Sequence, residues 1–160
     1  MRNAFTLIEL IFVIVIIGVL ASVAIPKFKN LTTHAKTANI KSIVTSVQSS
    51  IDNIHGKWIV NDNMTSFTDS QGNSHTLNQQ GYPDYLDNND GKLFSWVLKT
   101  PVMQCGSRSS GCWEEYERNR YEYNYSSNKA LRIEYNATNG TLECLEGVGV
   151  TQSDCEDIIY

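Results

Sequence analysis

The sequence predicts an α+β protein in which one long N-terminal helix packs on a small antiparallel sheet. Residues 5–25 form an apolar run of 21 residues whose only charge is Glu9. Apolar residues then recur at steps of three and four, which is typical of an amphipathic helix. Near the other end, apolar and polar residues alternate over residues 121–125 and 131–135, as they do in half-buried strands.

The apolar run is long enough to cross a membrane. At about 1.5 Å per residue, a helix of this length spans the roughly 30 Å hydrocarbon layer of a bilayer. Only residues 1–4 precede it, too few for an ordinary secretory signal, in which the apolar core comes before the cleavage site. We therefore expect the helix to stay in the mature protein. Arg2 is a positive-inside signal, which predicts a cytoplasmic N-terminus and a periplasmic C-terminal domain.

The first 30 residues or so resemble the N-terminus of type IV pilins and type II secretion pseudopilins, with a short basic leader, a small residue, Phe-Thr-Leu-Ile-Glu and an apolar helix. The resemblance implies a pilin-like fold. It also implies that a prepilin peptidase cuts between Ala4 and Phe5 and methylates the new amine of Phe5. The family usually has glycine at the position of Ala4. Because alanine is also small, we still expect cleavage.

Glu9 places a carboxylate among apolar neighbours, where it costs a few kcal/mol in lipid unless it has a partner. After cleavage, the amine of Phe5 is a cation near neutral pH, and Phe5 lies four residues away on the same helix face. The two groups can pair within one chain or between neighbouring subunits. The resemblance implies the second arrangement, in which the pair sets the register of a filament. The alternative is a carboxylate that lies at the boundary of lipid and water.

Gly18 and Pro26 interrupt this first helix, which we assign to residues 5–26. Proline cannot donate to the carbonyl four residues earlier, and glycine is a poor helix former. We expect a kink in the monomer, and the resemblance implies a loss of helicity between the two residues in a filament. Membrane helices also tolerate both residue types.

The globular domain is predicted to cover residues 27–160 and to begin with an amphipathic helix over residues 27–55. Gly56 is the predicted end of that helix. We interpret its apolar face as core that packs on the sheet. This face comprises Leu31, Ala35, Ala38, Ile40, Ile43, Val44, Val47, Ile51 and Ile54.

Residues 56–92 are polar and rich in turn residues, and we interpret them as a variable loop in which residues 58–60 form a short strand. The resemblance implies that this loop lies on the filament surface. Residues 93–98 are too few for periodicity to distinguish a strand from a helix.

The predicted sheet and C-terminal region occupy residues 93–160. Three antiparallel strands are expected over residues 121–125, 131–135 and 141–144, with a hairpin turn at Asn139-Gly140.

Four cysteines follow residue 104, and behind a membrane segment they indicate disulfides in an oxidising compartment. Four cysteines allow three pairings. We expect Cys105–Cys112, which encloses a flexible loop, and Cys144–Cys155. The resemblance supports the second bridge, because many pilins tie down their C-terminal region in this way. The closely spaced ligand pairs of a zinc site are absent from the sequence.

Asp84, Asp87 and Asp90 form a cluster that could hold calcium through carboxylate oxygens, although a solvated acidic turn is the simpler interpretation. A second acidic cluster lies over residues 154–157. We expect no other cofactor.

No catalytic set is apparent, so an enzyme is not predicted. No nucleophile or phosphate-binding motif occurs, and the three histidines, His34, His55 and His75, lie apart in the sequence and are expected to be solvated. Basic residues do not cluster and the net charge is −4, so direct nucleic-acid binding is not expected.

The sequence therefore predicts a structural subunit of a pilus or pseudopilus, polymerised through its N-terminal helix. Type II secretion or DNA uptake is the first expectation. A type IV pilus major or minor pilin, with an adhesive or DNA-binding tip role, is the alternative. The resemblance implies copies of the chain and other pilin-like subunits as partners, with a prepilin peptidase and an inner-membrane assembly platform with its ATPase. The expected location is the inner membrane, with a single pass, and the filament after assembly.

Overall fold

The computed structural model describes residues 6–62, 64–106 and 109–160, without the side chains of Lys29 and Asn30. The chain divides into two compact units, residues 1–37 and residues 38–160. Helix α1, Leu7–Val60, contributes to both units. The predicted leader and the cleavage site between Ala4 and Phe5 lie outside the described residues.

The first unit contains the N-terminal part of α1, which includes both Gly18 and Pro26 without a break. Pro26 has no N–H to donate to the carbonyl of Ser22, four residues earlier. The Ser22 hydroxyl donates to the carbonyl of Val19 at 2.7 Å. The single chain therefore keeps its helix at both residues. The predicted kink and the predicted loss of helicity in a filament stay predictions.

The second unit uses the following part of α1 as one wall of its core. The buried residues on this helix are Ile40, Val44, Val47, Ile51 and Ile54. This confirms the apolar face from Ile40 onward. Leu31, at the start of the predicted face, belongs to the first unit and is 63% exposed.

The predicted end of the helix at Gly56, and the strand predicted over residues 58–60, are wrong because α1 continues to Val60. Trp58 gives a physical reason. The Trp58 ring packs directly on Gly81, so that a Cβ atom added to Gly81 would lie 2.2 Å from the ring. The ring also stacks on His55, with the two ring centroids 5.4 Å apart. These contacts offset the cost of a helical glycine, about 1 kcal/mol.

A four-stranded antiparallel sheet in the order β5-β6-β7-β8 forms the other wall of the core. The predicted strands correspond to β6, β7 and β8, and β5 is an addition that the sequence did not predict. In the part of the chain that the structure describes, the strands and the C-terminal helix are β1 (Ser66–Thr68), β2 (Ser74–Thr76), β3 (Lys92–Leu93), β4 (Val102–Met103), β5 (Cys112–Glu117), β6 (Arg120–Ser126), β7 (Lys129–Asn136), β8 (Thr141–Leu145) and α2 (Gln152–Ile159).

The predicted turn at Asn139-Gly140 joins β7 to β8 and is attached to α1 through Gln48. The Gln48 amide donates to the carbonyl of Gly140 at 2.9 Å and accepts from the Leu142 N–H at 3.1 Å. Helix and sheet are therefore joined by hydrogen bonds as well as by apolar contact. The apolar residues of the sheet that complete the core are Trp113, Tyr121, Tyr123, Leu131, Ile133, Tyr135 and Leu142.

The loop predicted over residues 56–92 contains more regular structure than expected, because β1 and β2 pair as a hairpin within it. Residues 93–98 are neither one strand nor a helix. Leu93 ends β3, and Phe94 turns the chain with a φ of 60° while its side chain is fully buried.

The structure joins Cys105 to Cys112 and Cys144 to Cys155, the same two pairs that we expected. The second bridge ties α2 to β8. A capping box begins α2, in which Thr151 accepts from the Asp154 N–H and the Asp154 carboxylate accepts from the Thr151 N–H.

Ile51→Ala should lower the free energy of unfolding by about 2–5 kcal/mol, because it removes fully buried apolar atoms and leaves a cavity. Leu31→Ala, on the same helix but largely exposed, should change it by no more than about 0.5 kcal/mol in detergent solution. Denaturant unfolding of both variants checks this. Equal decreases in the free energy of unfolding for Ile51→Ala and Leu31→Ala would show that the core does not begin where the structure places it.

Candidate functional site

Glu9 lies in the first turn of α1, where it forms a capping box with Thr6. The Glu9 carboxylate accepts from the backbone N–H of Thr6 at 3.3 Å and from its hydroxyl at 3.2 Å. The Glu9 N–H in turn donates to the Thr6 hydroxyl at 3.3 Å. This arrangement satisfies helix N–H groups that have no partner within the helix, and a negative charge is favourable at this end of a helix.

Sequence reasoning missed Thr6, although its signal was present. A threonine followed three residues later by glutamate, at the start of an apolar run, is the pattern of a capping box. Phe5, the predicted partner of Glu9, lies outside the described residues. The pairing of Glu9 with a neighbouring amine therefore stays a prediction.

The helix surface that follows Glu9 is apolar and lies exposed among the described residues of the first unit. An 18-residue window of α1 has a mean hydropathy of 3.0 and none of it is buried, so length and composition allow it to cross a membrane. Phe12, Ile17 and Leu20 are each 59% exposed or more. Such a surface requires lipid or other helices around it.

A family model and several known proteins match this chain. The family model for the prokaryotic N-terminal methylation motif matches residues 1–25. The type IV narrow pilus major component PilA5 of Thermus thermophilus is 49% identical over 47 residues. The type IV major pilin protein PilE1 of Neisseria gonorrhoeae is 36% identical over 61 residues. Both relatives are named as type IV pilus or pilin proteins.

The similarity extends beyond the N-terminus in one of the pilin relatives. A fimbrial protein of Pseudomonas aeruginosa is 27% identical over 129 residues, which cover 70% of this chain and 83% of that protein. The matches to PilA5 and PilE1 cover 29% and 36% of this chain, and only 40% and 37% of those relatives. No solved structure gives a significant match. The relatives are named as pilins and fimbrial proteins rather than as enzymes, in agreement with the prediction.

The acidic residues predicted as a calcium site in this pilin-like chain do not share one environment. Asp87 is 1% exposed, whereas Asp84 and Asp90 are exposed, and Asp90 accepts from the Lys92 N–H at 3.1 Å. Within residues 6–62, 64–106 and 109–160, no group of three acidic, histidine or cysteine side chains is placed to hold a metal ion. Calcium binding stays a prediction.

Asp87 instead fixes the segment before β3 to the sheet. Its carboxylate accepts from the N–H groups of Asn89 at 3.0 Å and Phe94 at 3.1 Å, and from the Tyr121 hydroxyl at 3.0 Å. Arg118 donates to the Asp87 carbonyl at 3.0 Å. These donors satisfy the hydrogen-bonding capacity of a carboxylate that is buried away from water.

Glu115 lies close enough to Asp87 to interact with its charge, and the Glu115 side chain is 2% exposed. Burial raises the pKa of the Glu115 carboxyl, and the nearby charge of Asp87 raises it further. Arg118, 3.8 Å away, opposes this effect. The Glu115 Oε2 atom is buried and has no partner among the described residues, so ionisation of this carboxyl is unfavourable.

Two histidines that we expected to be solvated are packed against other side chains. His75 is 8% exposed, stacks on Trp96 at 4.1 Å, and lies 2.8 Å from the Asp69 carboxylate. Burial opposes ionisation of Asp69, but hydrogen bonds from His75, Asn73 and Gln71 outweigh it and hold the pKa of Asp69 well below its usual range. His55 stacks on Tyr82 at 4.2 Å.

Glu115→Gln should change how stability depends on pH. Since the pKa of Glu115 is raised by folding, its favourable contribution is present below the unfolded value of about 4.3 and is lost as pH rises through the folded value. The variant lacks this loss, so its Tm should rise relative to that of the wild type as the pH is raised above about 4.

Glu146→Gln serves as the control, because Glu146 is exposed. Its Tm profile should run parallel to that of the wild type. A Glu115→Gln profile that also runs parallel would show that Glu115 does not resist ionisation in the folded protein.

Proposed function

We propose that this chain is a structural subunit that polymerises through α1 into a type IV pilus or a closely related filament. The observation that carries the proposal is an uncovered apolar helix with one carboxylate in its first turn, within a matched methylation motif. Helices packed side by side in a filament core would cover that surface. No bond chemistry by the subunit is needed.

Processing and location follow from the same helix. A prepilin peptidase cuts between Ala4 and Phe5 and methylates Phe5, after which the apolar part of α1 holds the subunit in the inner membrane. The N-terminus faces the cytoplasm and residues 38–160 face the periplasm, where the two disulfides form. An inner-membrane platform with an ATPase then extracts the subunit into the filament.

The type of filament is supported by the relatives, which are named as type IV pilus components, pilins and fimbrial proteins. Their names favour a surface pilus over a secretion pseudopilus. Type II secretion and DNA uptake, the first expectations from the sequence, stay predictions. Glu9 favours a subunit within the filament over a tip subunit, because a tip subunit has no neighbour ahead of it to pair with.

Two substitutions distinguish a role of Glu9 in filament assembly from its role in the helix cap: Glu9→Ala and Thr6→Ala. If Glu9 binds the N-terminal amine of a neighbouring subunit, Glu9→Ala should reduce filament yield by about tenfold or more, since a buried amine is left unpaired. Thr6→Ala removes only the cap, which is worth about 1 kcal/mol. It should keep most of the yield. Sheared filaments measured against total subunit provide the readout.

The mass of the mature subunit is the control for processing. Both variants should have the mass of residues 5–160 plus one methyl group, so that a lost filament cannot be attributed to lost cleavage. Normal filament yield from correctly processed Glu9→Ala subunits would refute the pairing. Equal losses in both variants would show that Glu9 acts only as part of the cap.

A further inference from the structure

A cleft of about 480 Å³ lies between α1 and the first strand of the β1–β2 hairpin, and it is open to solvent. One wall is the helix face that carries Ser50, Asn53 and Lys57. The opposite wall is formed by residues 66–70, and no residue of β2 is among those that line the cleft. The outer edge of β1 therefore faces the cleft, and the floor consists of Ile54, Phe67, Trp96 and Val97.

The backbone groups along that edge have no partners among the described residues. Leu77 donates to the Thr65 carbonyl, and Asp69 donates to the Asn73 carbonyl, both at 2.9 Å. Bonded pairs alternate in an antiparallel ladder, so Ser66 and Thr68 turn their N–H and C=O groups away from β2. β1 pairs only with β2, which leaves these groups free to bind another strand.

The charge of the cleft favours an acidic ligand. Lys57 is exposed, and no carboxylate of the described residues pairs with its ammonium. The one carboxylate in the lining, Asp69, is 4% exposed and is held by His75. Lys57 and the outward N–H and C=O groups of Ser66 and Thr68 thus face the cleft, and the Asp69 carboxylate already contacts His75 at 2.8 Å.

We propose that this cleft binds an extended acidic peptide segment of a partner protein, which adds to β1 as a third strand. The main chain of the peptide would bond to the N–H and C=O groups of Ser66 and Thr68, and a carboxylate would approach Lys57. This interaction goes beyond filament assembly, since it uses the second unit alone.

The full chain in detergent micelles can be titrated with acetyl-Thr-Val-Glu-Val-Thr-amide and followed by the amide signals of Ser66 and Lys57 in nuclear magnetic resonance. We expect saturable shifts at both residues. The lysine counterpart, acetyl-Thr-Val-Lys-Val-Thr-amide, should bind more weakly. The glutamate peptide with all five residues N-methylated should not shift Ser66, because it has no N–H between its residues to donate along the edge.

Two proline variants of the hairpin provide a matched test. Thr68→Pro removes an N–H that faces the cleft without removing a bond to β2, and should weaken binding at least about threefold. Thr76→Pro removes an outward N–H from β2, on the far edge, and should leave binding within about twofold.

The absence of shifts, or equal binding of the two proline variants, would overturn the proposal. Shifts of Ser66 that depend on protein concentration without peptide would also overturn it, because the occupant would then be a second copy of the chain.

Discussion

The structure depends on an apolar helix surface that the chain cannot bury by itself. Over the N-terminal part of α1, apolar side chains lie exposed on all sides, and the described residues supply no cover. At about 25 cal/mol per Å² of apolar surface, the cost of leaving such a helix in water is large. That helix surface therefore requires lipid or other helices around it. Glu9 is the one charge that both settings must accommodate, and Thr6 provides its partner within the chain.

The same helix serves a different purpose in the second unit. From Ile40 onward, one face is buried against the sheet and the other is polar, so water is a suitable solvent there. Gln48 connects α1 to that sheet, and the Cys144–Cys155 bridge connects α2 to it. Asp87 connects the loop before β3 to the same sheet. This unit has the core and the cross-links that a domain outside the membrane needs.

Features that depend on near neighbours in the sequence were predictable, namely the helix, the alternating strands and the Asn139-Gly140 turn. Features that depend on distant contacts were not. The helix continues past Gly56 because Trp58 packs on Gly81. The sequence of β5 does not alternate between apolar and polar residues because the side chain of a charged residue, Glu115, is buried near Asp87. At the N-terminus, the motif and Glu9 were recognised from the sequence, whereas Thr6, whose capping-box pattern was also in the sequence, was recognised only from the geometry.

The most direct test of the account is the distance from Glu9 to the N-terminus of another subunit in assembled filaments. Filaments can be grown from a mixture of subunits, half with a ¹⁵N-labelled Phe5 amine and half with a ¹³C-labelled Glu9 carboxyl. Solid-state nuclear magnetic resonance should then detect a dipolar coupling between the two labels, since an ion pair brings them within about 4 Å. The account would be contradicted if well-ordered mixed filaments showed no coupling between the labels, and if coupling appeared only when both labels were in one chain.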